Sequence, residues 1–221
     1  MDDTLWAFSL NARDTYEEMY WKYGYDRYFD SFEHYYSLYQ RRNLDLWAEY
    51  ADGKVTKEEL NRQRYLYPLE AVGAGDSTLA KAYERDALTM IPTKSKLMPH
   101  AREVLEYLSR KYNLYILSNG FKELQSHKMR SSGIDEYFKK VVLSDDIGIL
   151  KPWPEIFHFA LSTTQSELNN SLMIGDSWEN DIVGAAGVGM HQVFYNLSGR
   201  IDLPFAPTYQ ITDLKDLFNF L

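Results

Sequence analysis

Residues 172–181 read Leu-Met-Ile-Gly-Asp-Ser-Trp-Glu-Asn-Asp, and this stretch decides the fold that the sequence predicts. A short apolar run ends at Ile174 and is followed by the carboxylates Asp176 and Asp181. The run is typical of a buried strand, and the residues after it favour a helix over 179–187. Because ligands of parallel sheets bind beyond the carboxyl ends of the strands, Asp176 is expected to face a ligand.

The same alternation of apolar runs and helices extends over the second half of the chain. Strand-helix alternation predicts an α/β fold, in which helices cover both faces of a parallel sheet. The predicted strands are Leu114–Leu117, Val141–Leu143, Leu172–Ile174, Gln192–Tyr195 and Tyr209–Ile211. The predicted helices run from Pro99 to Lys111 and over residues 121–132, 154–163, 179–187 and 213–220.

The first half of the chain has a helical periodicity instead. Residues 9–96 predict four helices joined by short links, a pattern that is typical of a small bundle. Gly24 suits the end of the first helix, and Thr56 with Glu59 predicts a capping box at the start of the third. The many aromatic rings of residues 16–50 are expected to pack the helices together; stacking on a planar ligand is the alternative.

The composition excludes several classes of protein. The chain has 221 residues, of which 45% are hydrophobic and 25% charged, a balance that favours one folded domain with an insertion over disorder. The net charge of −8 argues against a nucleic-acid polymer as partner, because such binding needs clustered Lys and Arg. No apolar run approaches the ~20 residues that span a bilayer, and no signal segment opens the chain. The absence of cysteine excludes disulfides and fits the cytoplasm, which is the predicted localisation.

Two polar stretches at predicted strand ends and loops are candidates for binding an anion. Ser118, Asn119 and Gly120 follow the first predicted strand of the sheet, where a hydroxyl and backbone N–H groups can hold phosphate oxygens. A plain Asn-Gly turn is the alternative. Lys151 lies in a loop with two prolines and can neutralise a phosphate or an attacking carboxylate; the alternative is a solvated side chain.

Carboxylates form the second group of candidates. Asp176 and Asp181 can hold Mg²⁺, a hard cation that prefers oxygen ligands, although aspartates at this position also cap helices. Asp2, two residues before Thr4, is an ordinary polar residue when it is considered alone.

The order of these stretches resembles the four motifs of the haloacid dehalogenase superfamily along essentially the whole chain. The sequence Asp2-Asp3-Thr4 is similar to the end of the first motif, and Leu-Ser-Asn-Gly with Ser118 is similar to the second. Gly-x-x-Lys-Pro-x-Pro with Lys151 is similar to the third, and Ile-Gly-Asp-Ser-x-x-x-Asp with Asp176 and Asp181 is similar to the fourth.

The resemblance implies a fold and a division of the chain. A Rossmann-like parallel sheet core of residues 1–8 and 97–221 would carry an inserted α-helical bundle cap of residues 9–96. Asp-Asp-Thr-Leu-Trp, the Asn-Ala-Arg segment after it and Tyr137-Phe138 before Val141-Val142 are most similar to the bacterial pyrimidine 5′-nucleotidase branch.

The resemblance also implies a Mg²⁺-dependent phosphomonoester hydrolase that acts on small nucleoside monophosphates. Asp2 would be the acid and base, and Lys151 would offset the charge of substrate and nucleophile. The implied phosphate-binding residues are Thr4, Ser118, Asn119, Gly120 and Lys151. The implied nucleophile is the first aspartate of the first motif, which attacks phosphorus and forms an aspartyl-phosphate. The implied metal site consists of this carboxylate, the Asp2 main-chain carbonyl and Asp176, with Asp181 as a more distant support.

The first motif departs from the family pattern. If Thr4 is its threonine, Asp2 is its second aspartate, and the nucleophile falls one residue before Met1. The strand that would carry the nucleophile falls there too. We expect either a natural protein with the full motif or a degenerate member that binds without catalysis. A 2-haloacid dehalogenase is a further alternative, against which the carboxylate of Asp2 argues. The oligomeric state is left open.

Overall fold

The protein divides into two compact units. The computed structural model describes all residues, Met1–Leu221. Met1–Phe8 and Ser95–Leu221 form one unit, called here the core unit, and Ser9–Lys94 form the other, called the helical unit. The assignment of these units as a catalytic core and a cap, with the predicted boundary at residue 97, stays a prediction.

The helical unit contains the four helices that its periodicity predicts. They are α1 (Phe8–Lys22), α2 (Phe32–Ala51), α3 (Lys57–Ala71) and α4 (Ser77–Met90). Side chains fix their starts: the Ser31 hydroxyl accepts a hydrogen bond from the His34 amide, and the predicted capping box of Thr56 and Glu59 is present. Each such cap stabilises its helix by about 1 kcal/mol.

Tyrosine rings fill the interior of the helical unit. Tyr16, Tyr20, Tyr35 and Tyr83 are at most 1% exposed, and burial of each ring stabilises the unit by roughly 2–3 kcal/mol. Most of their hydroxyls are hydrogen-bonded: that of Tyr16 to the Tyr39 hydroxyl at 2.7 Å, and that of Tyr20 to the Phe29 carbonyl at 3.1 Å. These rings therefore pack the helices against each other, as predicted.

The core unit alternates strands and helices. Its helices are α5 (Ala101–Leu108), α6 (Lys122–Ser132), α7 (Pro154–Thr164) and α8 (Gly184–Gly187). Its strands are β1 (Leu114–Ser118), β2 (Phe138–Leu143), β3 (Leu172–Gly175), β4 (His191–Tyr195) and β5 (Tyr209–Ile211). All five predicted strands are present, and the predicted α/β class is confirmed.

All strand pairs are parallel, but the strands form two sheets. One sheet has the order β1-β2 and the other the order β3-β4-β5. No strand of the chain hydrogen-bonds β1 to β3, so the predicted sheet is divided at this point. Within each sheet the register aligns the carboxyl ends, with Ser118 opposite Leu143 and Gly175 opposite Phe194. The residues after β1, β2 and β3 carry the predicted site.

Three helix ends and types differ from the sequence prediction. The helix expected from Pro99 starts at Ala101, because His100 has a left-handed backbone with φ 62°. The segment Trp178–Val183 is a π-helix. The last helix, expected over 213–220, is the 3₁₀-helix Leu214–Asn219, and the Asp213 side chain caps it.

The core unit is held together mainly by apolar side chains of α5 and of the second sheet. Val104, Val193, Tyr195, Ile211 and Leu214 form one buried cluster.

In either unit, no helix has the length and the hydrophobicity that a membrane span requires.

The two glycines of α8 make a matched test of this packing. A Cβ at Gly184 would lie 2.6 Å from the buried Phe157 ring and 3.0 Å from the Pro152 Cα, whereas a Cβ at Gly187 would meet nothing within 4 Å. We expect Gly184→Ala to lower the free energy of unfolding by about 1–3 kcal/mol. Gly187→Ala should leave it unchanged or raise it by up to about 1 kcal/mol. Urea denaturation of both variants checks this, and equal effects would contradict the packing.

Candidate active site

The segment Met1–Trp6 forms a tight turn in the core unit. The amides of Leu5 and Trp6 both donate to the Met1 carbonyl, at 3.0 and 3.1 Å, and the Asp3 amide donates to the Trp6 carbonyl at 2.8 Å. The Met98 amide donates to the Leu5 carbonyl. The turn therefore holds the side chains of residues 2 and 4 in fixed directions.

Asp2 is bound by two side chains of α6. Lys128 Nζ lies 2.9 Å from Asp2 Oδ1, and Gln125 Nε2 donates to Asp2 Oδ2 at 2.7 Å. Gln125 and Lys128 are three residues apart and so share one helix face. Burial alone would raise the pKa of Asp2, but the Lys128 charge and these hydrogen bonds lower it overall. Asp2 is therefore held as a carboxylate.

Lys128 is buried, with only 3% of its surface exposed. Its ammonium lies 4.8 Å from the centre of the Trp6 ring and 5.0 Å from that of Phe8. Aromatic faces attract cations, most strongly where water is excluded. The rings and the carboxylate together compensate for the burial of this charge.

Gln125 also connects Asp2 to the end of β1. Its Nε2 lies 3.0 Å from Ser118 Oγ, which accepts a second hydrogen bond from the Gly120 amide at 3.1 Å. A Cβ at Gly120 would overlap the Gln125 side chain. Glycine is therefore needed here for close approach, and the predicted Ser118 and Gly120 share one contact network with Asp2.

Lys151 is fixed at both its backbone and its ammonium. Asn119 Oδ1 accepts from the Lys151 amide at 2.8 Å, and Asn119 Nδ2 donates to the Lys151 carbonyl at 3.0 Å. Lys151 Nζ lies 2.5 Å from Asp181 Oδ1 and donates to the Leu117 carbonyl at 3.1 Å. The Asn119 side chain thus positions the lysine, while the predicted phosphate contact of Asn119 stays a prediction.

Asp181 is buried beside the end of β3. Its second oxygen accepts a hydrogen bond from the Ser177 amide at 3.1 Å. The amides of Asp181 and Ile182 both donate to the Ser177 carbonyl, which makes the wide π-helical turn. A Cβ at Gly175 would overlap the Asp181 carboxylate. Glycine is therefore needed at the end of β3, because only glycine leaves space for the Asp181 carboxylate that pairs with Lys151.

Asp176 differs from the other two carboxylates because no lysine pairs with it. The buried Thr4 hydroxyl donates to Asp176 Oδ1 at 2.6 Å. Burial raises the pKa of Asp176 in spite of this hydrogen bond. The structure thus uses Thr4 to join the first turn to the end of β3; its predicted phosphate contact stays a prediction.

The donors present fit one Mg²⁺ that is completed by a substrate. No three His, Cys, Asp or Glu side chains converge into a closed metal site. Mg²⁺ in phosphoryl-transfer sites, however, usually takes one or two carboxylates together with waters and substrate phosphates. Asp176 is a half-buried carboxylate without a cationic side chain beside it, so it suits this role. The side chains of Asp2 and Asp181 are paired with lysines, and their metal roles stay predictions.

The Met1 nitrogen lies inside the same region. Burial lowers the pKa of its amino group, and the Lys151 charge lowers it further, while Asp2, Asp181 and Asp176 act in the opposite direction. The Met1 nitrogen therefore lies within reach of the charges of Asp2, Lys151, Asp176 and Asp181.

The turn at Met1–Thr4 thus brings the predicted residues of all four motifs into one region. Gln125 hydrogen-bonds both Asp2 and Ser118. Thr4 hydrogen-bonds Asp176, and Lys151 forms an ion pair with Asp181. Such a region offers a hydroxyl and an ammonium for an anion, a carboxylate for a cation, and a second carboxylate for proton transfer. Sequence reasoning missed Gln125 and Lys128. Their spacing on one face of the helix after Ser118 was the available signal.

Comparison with known proteins identifies the family of the chain. Residues 1–189 match the family model described as haloacid dehalogenase-like hydrolase. The chain is 30% identical to the pyrimidine 5′-nucleotidase YjjG of Escherichia coli over 83% of the chain and 80% of YjjG. It is 29% identical to the HAD-hydrolase YfnB of Bacillus subtilis over 83% of the chain and 78% of YfnB.

Solved structures show the same fold. The magnesium-bound crystal structure of YfnB from Bacillus subtilis aligns with a TM-score of 0.87 and 26% identity, over 100% of this chain and 95% of that chain. A 2-haloacid dehalogenase from Pseudomonas syringae aligns with a TM-score of 0.67 and 23% identity, over 99% of this chain and 94% of that chain. The latter likeness concerns the fold alone. The predicted family resemblance is confirmed.

The ion pair of Asp2 and Lys128 can be tested by stability measurements. We expect Lys128→Met to lower the free energy of unfolding at pH 7 by about 2–4 kcal/mol, because Asp2 then loses its cation. Adding Asp2→Asn should recover part of this loss. Lys122→Met, on the exposed start of the same helix, is the matched control and should cost less than about 1 kcal/mol.

The pH dependence of the free energy of unfolding is a second test of the ion pair between Asp2 and Lys128. Since the folded-state pKa of Asp2 is lowered, its contribution is fully present above about pH 4, the ordinary aspartate pKa. It is lost as the pH falls through the folded-state value. Urea denaturation from pH 3 to 7 measures this, and identical pH profiles for the wild type and Asp2→Asn would contradict the ion pair.

Asp176 should behave in the opposite way. Because its folded-state pKa is raised, the metal-free protein loses stability as the pH rises through that value, and Asp176→Asn should remove this loss and raise Tm.

A Mg²⁺ concentration 100-fold above Kd should stabilise the wild type by about 2.7 kcal/mol and leave the Asp176→Asn variant unchanged. Thermal melts with Mg²⁺ or EDTA check both points; an equal Mg²⁺ effect on the variant would exclude Asp176 as a ligand.

Proposed function

Because the chain belongs to the haloacid dehalogenase-like hydrolase family, we propose that it is a Mg²⁺-dependent phosphomonoester hydrolase that acts on small nucleoside monophosphates. One observation carries this proposal: a carboxylate, a hydroxyl, a lysine and a second carboxylate follow the motif order of the family and share one contact network. Phosphoryl transfer depends mainly on positioning and charge neutralisation, and these are the properties that the network provides.

Each side chain has a proposed role. Ser118 binds a phosphate oxygen, together with the backbone groups of Asn119 and Gly120. Lys151 offsets the negative charge of the phosphate. Two hydrogen bonds from the Asn119 side chain hold the Lys151 backbone in place. Asp2, a carboxylate in the free protein, takes up a proton when the negatively charged phosphate binds beside it, gives this proton to the leaving alcohol and then accepts one from water.

Asp176 is the proposed protein ligand of Mg²⁺, with the Asp2 main-chain carbonyl as a second ligand. Asp181 supports the site through Lys151. Bound Mg²⁺ would supply charge neutralisation for the phosphate oxygens and the attacking carboxylate. The magnesium-bound structure of YfnB supports this cofactor.

The proposed nucleophile is an aspartate attached to the Met1 nitrogen. In the family motif the nucleophile stands two positions before the acid, and Asp2 is the acid by its spacing to Thr4. The burial of the Met1 nitrogen near Lys151 and Asp176 supports this position. Attack by such a carboxylate on phosphorus forms an acyl phosphate and releases the alcohol, and water then cleaves the acyl phosphate.

The names of relatives support the substrate class. YjjG of Escherichia coli and PynA of Streptococcus pneumoniae are both pyrimidine 5′-nucleotidases; this chain is 28% identical to PynA over 85% of the chain and 79% of PynA. We therefore place pyrimidine nucleoside monophosphates first among the substrates. Dehalogenases share the fold at lower identity, and the carboxylate of Asp2, which suits proton transfer to an alcohol, favours the phosphatase.

The decisive measurement is phosphate release from nucleoside and sugar monophosphates in the presence of Mg²⁺. We expect release by a form of the chain extended before Met1 with an apolar strand that ends in aspartate, and loss of at least 10³-fold in kcat on Asp176→Asn in that form. Circular dichroism confirms that both forms are folded.

Other outcomes would contradict parts of the proposal. Equal activity of the chain that starts at Met1 would overturn the position of the nucleophile. No release by either folded form would favour a binding protein without catalysis. Halide release from 2-haloacids without Mg²⁺ would favour the dehalogenase.

A further inference from the structure

The helical unit contains a cavity of about 540 Å³ between side chains of α2 and α3. This volume lies within the range of small-molecule sites, about 300–1,000 Å³. The charged and aromatic residues that line it are Arg41, Arg42, Asp45, Arg62, Tyr67 and Glu70. None of them belongs to the candidate active site, whose residues all lie in the core unit.

Arg42 is held rigidly in this cavity. Its Nη1 donates to Glu49 Oε1 at 2.8 Å, and its Nη2 donates to Gln63 Oε1 at 2.5 Å and to Glu49 Oε2 at 3.4 Å. An arginine fixed in this way loses little further side-chain entropy when a ligand arrives. One cation of the cavity is thus preorganised.

Arg41 and Arg62 are exposed and form no ion pair within the protein. Both remain charged at all physiological pH values. Arg42 is already paired with Glu49, so Arg41 and Arg62 are the two guanidinium groups of the lining that keep their donors free for a ligand. The planar fork of arginine matches the oxygens of a phosphate.

The same cavity also presents two carboxylates, Asp45 and Glu70, which form no ion pair either. They would repel a ligand that is anionic throughout, such as a polyphosphate or a nucleic acid. A carboxylate instead accepts hydrogen bonds from hydroxyl groups. Tyr67 adds a half-buried ring to the wall, against which the carbon face of a sugar can pack.

From this combination we propose that the cavity binds a small phosphorylated polyhydroxy compound, a sugar phosphate in chemical class. Its phosphate contacts Arg41 and Arg62 beside the fixed Arg42, and its hydroxyls donate to Asp45 and Glu70. This site is additional to the proposed active site and requires no Mg²⁺.

Isothermal titration calorimetry with ribose 5-phosphate in EDTA tests the proposal. We expect wild-type protein to bind one equivalent, and Arg41→Gln/Arg62→Gln to bind at least tenfold more weakly. Arg110→Gln/Arg130→Gln removes two exposed arginines of the core unit and is the matched control for net charge; it should bind like the wild type. Inorganic phosphate, which lacks the carbon hydroxyls, should bind at least fivefold more weakly than ribose 5-phosphate.

A Ser118→Ala variant separates this site from the active site. It should bind ribose 5-phosphate with unchanged affinity. If Ser118→Ala abolished binding and the Arg41/Arg62 variant did not, the ligand would lie in the core unit, which would overturn the cavity and support the proposed function. No binding by the wild type, or equal affinity of the Arg41/Arg62 variant, would also overturn the cavity. Equal affinity for phosphate and ribose 5-phosphate would overturn the role of the carboxylates.

Discussion

Charge compensation between two buried lysines and two aspartates is the constraint on which the rest of the candidate site depends. Lys128 pairs with Asp2, and Lys151 pairs with Asp181. Removal of Asp2, Lys151 or Asp181 would leave a buried partner uncompensated, at a cost of several kcal/mol, while removal of Lys128 would leave the half-buried Asp2 without its lysine. The position of α6 and the course of the loop that carries Lys151 are tied to this balance. Of the three aspartates, Asp176 has no lysine partner, and it is the carboxylate that suits an external cation.

Close packing of glycines makes this charge balance possible. Gly120 leaves space for Gln125, and Gly175 leaves space for Asp181. In both places a strand ends and a polar side chain from the following helical segment folds back over the strand end. The backbone itself thus forms part of the wall of the site, and these positions tolerate no Cβ without movement of a site residue.

Much of this architecture follows from short-range sequence patterns. The five strands are apolar runs with polar flanks, so their existence and order were predictable, as was the capping box of Thr56 and Glu59. Ser118 and Asp176 could be proposed as site residues because each lies at or directly after a strand end, whereas Asp2, Thr4 and Lys151 were proposed mainly from motif spacing. The partners of Asp2 were not, because Lys128 lies 126 residues away in sequence and reads as a surface residue of a helix. The division between the two sheets and the π-helical turn at Trp178–Val183 depend on three-dimensional pairing and likewise escape a sequence pattern.

The tyrosine interior of the helical unit has a consequence for alkaline conditions. Burial raises the pKa of Tyr16, Tyr35 and Tyr83 well above the ordinary value of 10, since a phenolate is poorly solvated between packed rings. The folded unit therefore keeps these phenols neutral, while an unfolded chain would ionise them above about pH 10. Stability falls as the pH rises beyond that point. The phenolate absorbance of these side chains then becomes an optical signal for the opening of the helical unit.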